Sequence, residues 1–186
     1  MNKKLSEIAN IRSGVFLSQN LDGNIRYLQI IDFDNEGMLN PRMETTPMVL
    51  FEKNISGHLL KQGDILFSAK GDNNYSVVYQ EKNIQSVAST SFIIIAIKNE
   101  YKSQILPEYI CWHMNKPDTI KTLKDKSKGT KIHSVSIFEI RNFEIFIPPL
   151  KQQILIEKVD SLLKEERIIQ NKLYSLRKQL LINFIK

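Results

Sequence analysis

The chain has 186 residues, of which 42% are hydrophobic and 25% are charged, and it carries a net charge of +6. This length and composition allow one buried core and exclude a disordered or fibrous protein. The longest apolar run, SFIIIAI at residues 91–97, is too short to cross a membrane, and the opening MNKKLSEIANI lacks the apolar core of a secretory signal. We therefore expect a soluble, cytoplasmic protein with an anionic partner.

The first 149 residues have the pattern of a domain with a mainly β core. Leu5, Ile8 and Ala9 predict a short amphipathic turn, and the turn formers at residues 13–24 predict a loop. Runs rich in Ile, Val, Phe and Tyr predict strands at residues 26–33, 64–70, 75–80, 91–98 and 143–147. Helical spacing predicts helices within residues 106–115 and 117–126, with Pro117 in the first turn of the second.

One long helix is predicted from residue 150 to residue 186, directly after the proline pair at 148 and 149. Its apolar residues alternate spacings of four and three over about four heptads, which is typical of a coiled-coil seam. The seam consists of Leu155, Val159, Leu162, Glu166, Ile169, Leu173, Leu176, Leu180 and Asn183. The predicted fold class is thus α+β, a mixed α/β domain at 1–149 followed by one long C-terminal helix at 150–186 that forms a coiled coil. A helix folded back on its own domain is the alternative.

Positive charge is concentrated in two segments. Residues 150–186 carry eight Lys and Arg against four Asp and Glu, and residues 116–131 carry six Lys against two Asp. A surface that follows phosphates would supply affinity and salt dependence without sequence preference. A solvated helix face also explains the second segment, so both interpretations stay open.

The sequence contains no recognisable catalytic, nucleotide or metal motif. Neither G-x-x-x-x-G-K-[ST] nor G-x-G-x-x-G is present, and the three histidines have no second His or Cys at ligand spacing. Cys111 lies in an apolar helical context that is typical of a buried thiol. Asp64 with Lys70 could suggest a nuclease, but Ser68 stands where such an enzyme needs its second acid. We predict no catalytic residue, no cofactor and no metal in this chain.

In this order and spacing, several segments together resemble the specificity subunits of type I restriction-modification systems. The resemblance covers essentially the whole chain, through LSEIANIRSG, YLQIIDFDNEG, KQGDILFSAKGD, ASTSFIII, ILPEYICWHM and KGTKIHSVSIFEIRNFEIFIPPLKQQ, and then the heptad helix. It implies a target recognition domain that contacts one half of a bipartite DNA site. The usual member has two such domains, joined by two helices that pack as an antiparallel coiled coil and act as a spacer. This chain has one domain and one helix and so resembles a half-subunit.

The resemblance also implies partners and a division of labour. The chain would be a non-catalytic subunit that binds double-stranded DNA, docks methyltransferase (modification) subunits and joins a restriction subunit. S-adenosylmethionine, ATP and Mg²⁺ would belong to those partner subunits. Dimerisation with itself or with another half-subunit, through residues 155–180, would restore two domains, and a homodimer would recognise an inverted repeat.

Two loops are the candidates for contact with DNA, because Arg, Lys, Asn and Gln side chains on loops commonly recognise base edges. The first choice is the loop SAKGDNNYS, with Lys70, Asn73, Asn74, Tyr75 and Ser76, although a solvated turn explains it equally well. The second choice is KSKGTKIHS, where a phosphate role is expected for Lys126, Lys128, Thr130, Lys131 and His133. The alternative function is a coiled-coil protein-interaction module, or a silent recombination cassette without a DNA target of its own.

Overall fold

The computed structural model describes residues 1–20, 22–33, 48–51, 53–71, 73–80, 85–126 and 134–184. In chain order the strands and α-helices are β1 (Asn2–Lys4), α1 (Leu5–Ile8), β2 (Ala9–Ser13), β3 (Ile25–Leu28), β4 (Met48–Val49), β5 (Ile65–Ser68), β6 (Ser76–Val78), β7 (Ser86–Ala88), β8 (Phe92–Ile97), α2 (Pro107–Met114), α3 (Pro117–Lys126), α4 (Ile137–Arg141), β9 (Glu144–Phe146) and α5 (Leu150–Phe184). Short 3₁₀ helices lie at Ile30–Asp32, Lys53–His58 and Asn99–Tyr101. The α+β fold class with a long C-terminal helix is confirmed.

A four-stranded antiparallel sheet, in the order β2-β8-β5-β6, forms the central layer of the domain. Both of its faces are covered. In β8, Ile93 and Ile95 point into a core shared with the helices, whereas Phe92 and Ile94 point into a second core on the other face. A strand that is buried on both faces is apolar at every position, which explains the continuous run at residues 91–97.

The two faces of the central sheet have different covers. Leu5, Ile110 and Ile140 bring α1, α2 and α4 onto one face. On the other face lies a second sheet in the order β4-β3-β7, in which β3 is antiparallel to β4 and parallel to β7. The domain closes where β1 pairs antiparallel with β9, so the first residues lie beside the start of α5.

Several predicted boundaries are wrong for local reasons. The strand predicted at 26–33 ends at Leu28, because the Asp32 carboxylate accepts a 2.7 Å hydrogen bond from the Gln29 backbone N–H and closes a 3₁₀ turn. Residues 9–13 form β2, where the sequence predicts only a turn and the start of a loop. The short elements β1, β4, β7 and α4 were not predicted. The predicted helices α2 and α3 are confirmed, with Pro117 as the first residue of α3.

Helix α5 is 35 residues long and would extend roughly 52 Å at 1.5 Å per residue. Its buried and half-buried residues all lie in the first three turns, since residues 161–184 are all exposed. Within the described residues the helix therefore does not fold back on its own domain. None of the helices in the described ranges is long and apolar enough to cross a membrane.

Candidate nucleic-acid interface

Segments that are far apart in the sequence meet at one end of the central sheet. The Val15 N–H donates to the Ala88 carbonyl, the Ala69 N–H donates to the Ser91 carbonyl, and the Val135 N–H donates to the Ala69 carbonyl, each at 2.9 Å. These bonds join the ends of β2, β5 and β7 to the start of β8 and to the residues just before α4. We call this surface, formed by residues 14–20, 29–32, 69–71, 73, 89–91 and 134–138, the loop end.

Gly14 allows the backbone to approach closely at the loop end. A Cβ atom on this residue would lie 2.0 Å from the Ser89 carbonyl oxygen, which is far inside the contact distance. Its N–H also donates to the Phe92 carbonyl at 2.9 Å. Any other residue type at position 14 would push β2 away from the turn between β7 and β8.

Lys70 and Asn73, two of the residues predicted to contact DNA, are exposed at the loop end. Lys70 pairs with Ser134 in an isolated antiparallel bridge, so the first candidate loop and the end of the second lie side by side. Gly71 has a φ of +96°, a conformation that favours glycine and turns the chain immediately after Lys70. Lys70 and Asn73 therefore lie together on a surface whose shape is held by backbone hydrogen bonds.

Asn74, Tyr75 and Ser76 lie in the same loop but are buried in this structure. The Asn74 side-chain amide donates to the Ser68 carbonyl at 2.7 Å, and the Tyr75 hydroxyl donates to the Ile30 carbonyl at 3.4 Å. The Ser76 N–H donates to the Asn115 side-chain oxygen at 2.6 Å. These contacts hold the loop in place, whereas Lys70 and Asn73 are the two residues of the loop's five candidates that are exposed.

The second candidate loop is described only at its edges. Lys126 is the exposed last residue of α3, and Ser134 follows the loop at the bridge to Lys70. Lys128, Thr130, Lys131 and His133 lie outside the described residues. Their proposed phosphate contacts remain predictions.

Sequence reasoning missed three apolar side chains at the loop end. Phe16 is 78% exposed, Ile31 is 77% exposed and Phe138 is 72% exposed, which makes them the most exposed large apolar residues that the structure describes within residues 1–149. The exposed polar residues Ser18 and Gln19 follow Phe16 after the half-buried Leu17. For Phe16 the available signal was an aromatic residue inside a segment of turn formers, and the sequence cannot distinguish such a residue from one that packs inward.

Gln153 anchors α5 to the domain. Its side chain is 0% exposed; its oxygen accepts from the Leu106 N–H at 2.9 Å, and its amide donates to the carbonyls of Gln104 at 2.9 Å and Pro148 at 2.8 Å. Ile156, one turn later, packs against the core between the central sheet and helices α1, α2 and α4. Buried polar groups that are all satisfied in this way fix the direction in which the helix leaves the domain.

The predicted seam lies on the side of α5 that faces away from the domain. Gln153 is buried, and Glu157 and Asp160 are partly buried, on the domain side. Leu155, Val159 and Leu162 each come two residues later, which corresponds to about 200° around a helix, and all three are exposed. Ile169, Leu173, Leu176 and Leu180 continue this exposed stripe, and the polar Glu166 accepts a 2.9 Å hydrogen bond from the Gln170 side chain. The seam is therefore available to a partner.

A second, interrupted apolar stripe lies on α5 next to the seam, with the polar residues Arg167 and Gln170 between its first two members. It consists of Leu163, Tyr174 and Leu181, all exposed and each one residue after a seam leucine. One residue corresponds to about 100° around the helix, so this stripe faces a different direction from the seam. A helix with two exposed apolar stripes has surface for more than one partner.

Asp64 and Lys70, the pair that could suggest a nuclease, lie at opposite ends of β5. The Asp64 carboxylate is 3.5 Å from the Arg12 guanidinium and accepts a 3.1 Å hydrogen bond from the Lys61 N–H. Burial raises the pKa of this carboxyl, while the hydrogen bond from Lys61 and the charge of Arg12 act in the opposite direction. The six positions from Asp64 to Lys70 span roughly 20 Å of strand, so the two cannot share one metal site. Among the described residues, no group of three or more His, Cys, Asp or Glu side chains is placed to hold a metal ion.

Comparison with known proteins places both the domain and most of α5 in one family. The family model described as "Type I restriction modification DNA specificity domain" matches residues 1–177. A search of curated proteins found no match.

Three solved structures share the fold. A chain from a study of complex assembly and conformational transition of the type I R-M system has a TM-score of 0.65 at 16% identity, over 89% of this chain and 38% of that one. A type I restriction-modification S subunit from M. genitalium has a TM-score of 0.59 at 14% identity, over 89% and 39%. The HsdS subunit from Thermoanaerobacter tengcongensis has a TM-score of 0.60 at 19% identity, over 92% and 44%. The chain thus spans less than half the length of each of these structures.

Proposed function

Because the chain belongs to the family of type I restriction modification DNA specificity domains, we propose that it is a non-catalytic DNA-recognition subunit of a restriction-modification complex. It would bind one half-site of a bipartite target and leave methylation and cleavage, with S-adenosylmethionine, ATP and Mg²⁺, to partner chains. The observation that carries the proposal is that the family match spans the domain and most of α5 together. A recognition domain alone would not account for the helix.

The loop end is the proposed DNA-binding surface. Lys70 is an exposed cation and Asn73 an exposed amide, and side chains of these types contact phosphates and base edges. Their loop is held from behind by the buried Asn74, Tyr75 and Ser76, so its shape is built into the domain. Phosphate contacts are also proposed for Lys126, which is exposed at the end of α3, and for Lys128, Thr130, Lys131 and His133, which lie outside the described residues.

The seam of α5 is the proposed dimerisation surface. Its apolar residues from Leu155 to Leu180 are exposed in the single chain and turned away from the domain, so pairing does not compete with the anchor at Gln153. A second copy, or another half-subunit, paired along this stripe would give a complex with two recognition domains. In a symmetric homodimer the two domains would recognise the two halves of an inverted repeat.

The second stripe of α5 is the proposed contact for methyltransferase subunits. Leu163, Tyr174 and Leu181 would remain exposed beside the seam when two helices pair. Exposed apolar residues on one side of a helix, even with polar residues between them, are a surface on which a partner helix can pack. In a symmetric dimer the stripe would occur twice, which suits two methyltransferase subunits.

The experiment that tests the proposal is single-molecule sequencing of adenine methylation in host cells with the gene intact, deleted, and restored. We expect one split motif to lose methylation on deletion and to regain it when the wild-type gene returns. Restoration with the Lys70→Ala/Asn73→Ala double variant should give weak or altered methylation of the same motif. A palindromic motif would indicate a homodimer and an asymmetric motif a hetero-partner. If no motif disappears on deletion, the alternative of a protein-interaction module or silent cassette stands in its place.

A further inference from the structure

Three highly exposed apolar side chains lie in chain segments that meet at the loop end with those of Lys70 and Asn73, although no sequence motif points to them. An apolar side chain that is more than 70% exposed is unfavourable in water, and single cases need no explanation. Phe16, Ile31 and Phe138 differ because their three separate chain segments are hydrogen-bonded into one surface.

Hydrogen bonds fix the positions of the chain segments that carry these residues. Phe16 follows Val15, whose N–H is bonded to Ala88 at 2.9 Å. Ile31 follows Ile30, whose carbonyl accepts from the Tyr75 hydroxyl behind the Lys70 loop.

Phe138 is the second residue of α4, and its position is set by the start of that helix. The Val135 N–H is bonded to Ala69, beside Lys70. The Ser136 hydroxyl accepts from the Glu139 N–H at 3.2 Å, and the Glu139 carboxylate accepts from the Ser136 N–H at 2.6 Å. This capping box holds the first turn of the helix at the loop end.

Building on the proposed DNA-binding function, we propose that Phe16, Ile31 and Phe138 form an apolar rim that contacts the apolar surface of bases in the target half-site. That surface is either the 5-methyl group of thymine in the major groove or a base face exposed by a kink. The rim would add sequence preference to the affinity supplied by the lysines. Polar contacts alone would then not account for the recognised motif.

The test uses the full chain and a labelled duplex that carries the motif found by methylation sequencing, with a second duplex of scrambled half-sites for comparison. Phe16→Ala and Phe138→Ala should each reduce the ratio of specific to scrambled affinity about tenfold, the cost of losing one base contact. Phe146→Ala is the matched control, because Phe146 is also an exposed phenylalanine but lies in β9 beside the start of α5. It should leave the ratio unchanged.

Two further arms identify the atoms that are contacted. Thymines in the half-site are replaced one at a time by deoxyuridine, which removes only the methyl group. If the rim contacts the methyl group of a thymine, deoxyuridine at that position weakens DNA binding by the wild type about tenfold. The same replacement has no further effect on the variant, Phe16→Ala or Phe138→Ala, that already lacks this contact. If it contacts a base face, the replacements are neutral and 2-aminopurine placed at the contacted step brightens on binding to the wild type only.

The outcomes separate the inference from the function on which it rests. A wild-type chain without sequence preference would overturn both. Normal preference in Phe16→Ala and Phe138→Ala, or an equal loss in Phe146→Ala, would overturn the rim and leave the DNA-binding function standing. Normal DNA preference with loss of a methyltransferase subunit would make the rim a protein contact and overturn the inference. Urea unfolding midpoints close to that of the wild type would show that the variants fold.

Discussion

Cys111 illustrates how burial sets the chemistry of a single residue. The thiol donates to the Ser76 carbonyl at 3.2 Å, and burial raises its pKa to about 12. At pH 8 only about one thiol in ten thousand would then be ionised, and the thiolate is the form that reacts. We expect Ellman's reagent to leave the folded chain unmodified over an hour and to react fully in urea. Since the chain has one cysteine, the signal needs no further assignment. Rapid modification of the folded protein would contradict the buried position.

The residues of the first candidate loop show what a sequence can and cannot predict about a site. The turn formers correctly predicted a loop between two strands, and Lys70 and Asn73 are exposed there. The sequence could not predict that Asn74 would point inward, because an asparagine bonds equally well to water or to a nearby carbonyl such as that of Ser68. Phe16 was missed for the reverse reason, since an aromatic residue is buried more often than exposed.

At the scale of one element, the attachment of α5 depends on Gln153. Gln153→Leu would remove three hydrogen bonds and leave the Leu106 N–H buried without its partner. We expect the free energy of unfolding to fall by about 3 kcal/mol, because an unsatisfied buried donor costs more than the lost bond itself. The matched control is Gln152→Leu, which changes an exposed neighbour and should stay within about 0.5 kcal/mol of the wild type. Urea unfolding followed by circular dichroism measures both, and equal values for the two variants would show that the anchor is not needed.

Several of the elements predicted correctly have a long or doubly buried pattern, although the three-residue strands β6 and β9 were predicted as well. Strand β8 is apolar throughout because cores lie on both of its faces, and α2 and α3 have helical spacing with a proline at the first position. The elements that were missed are short and depend on distant partners. Strand β2, for example, exists through its pairing with β8, about 80 residues later in the chain, and its own sequence ANIRS has little strand character.

At the scale of the whole molecule, the function proposed above assigns one exposed surface to DNA and two to protein partners. The loop end carries Lys70 and Asn73 with the apolar rim, and the anchor at Gln153 fixes how α5 leaves the same domain. A symmetric pair of such chains would hold two loop ends at a separation set by the overlap of two helices roughly 52 Å long. The spacing between half-sites should therefore depend on the length of α5. Insertion of one heptad between the anchor and residue 184 would keep the seam in register and should lengthen the unmethylated spacer of the motif.

The two stripes of α5 are proposed to serve dimerisation and methyltransferase docking, and substitutions at neighbouring residues would test the two roles separately. Leu162 lies in the seam and Leu163 in the second stripe, about 100° around the helix, and both are exposed in the single chain. Leu162→Asp would place a charge in the centre of a paired seam, so we expect a monomer at micromolar concentration by light scattering. Leu163→Asp should remain a dimer and lose co-purification with the methyltransferase subunit, because only the second stripe is changed. Each variant is the control for the other, as both add one charge at adjacent exposed positions. A monomeric wild type, or loss of the dimer in both variants alike, would contradict the assignment of two separate faces.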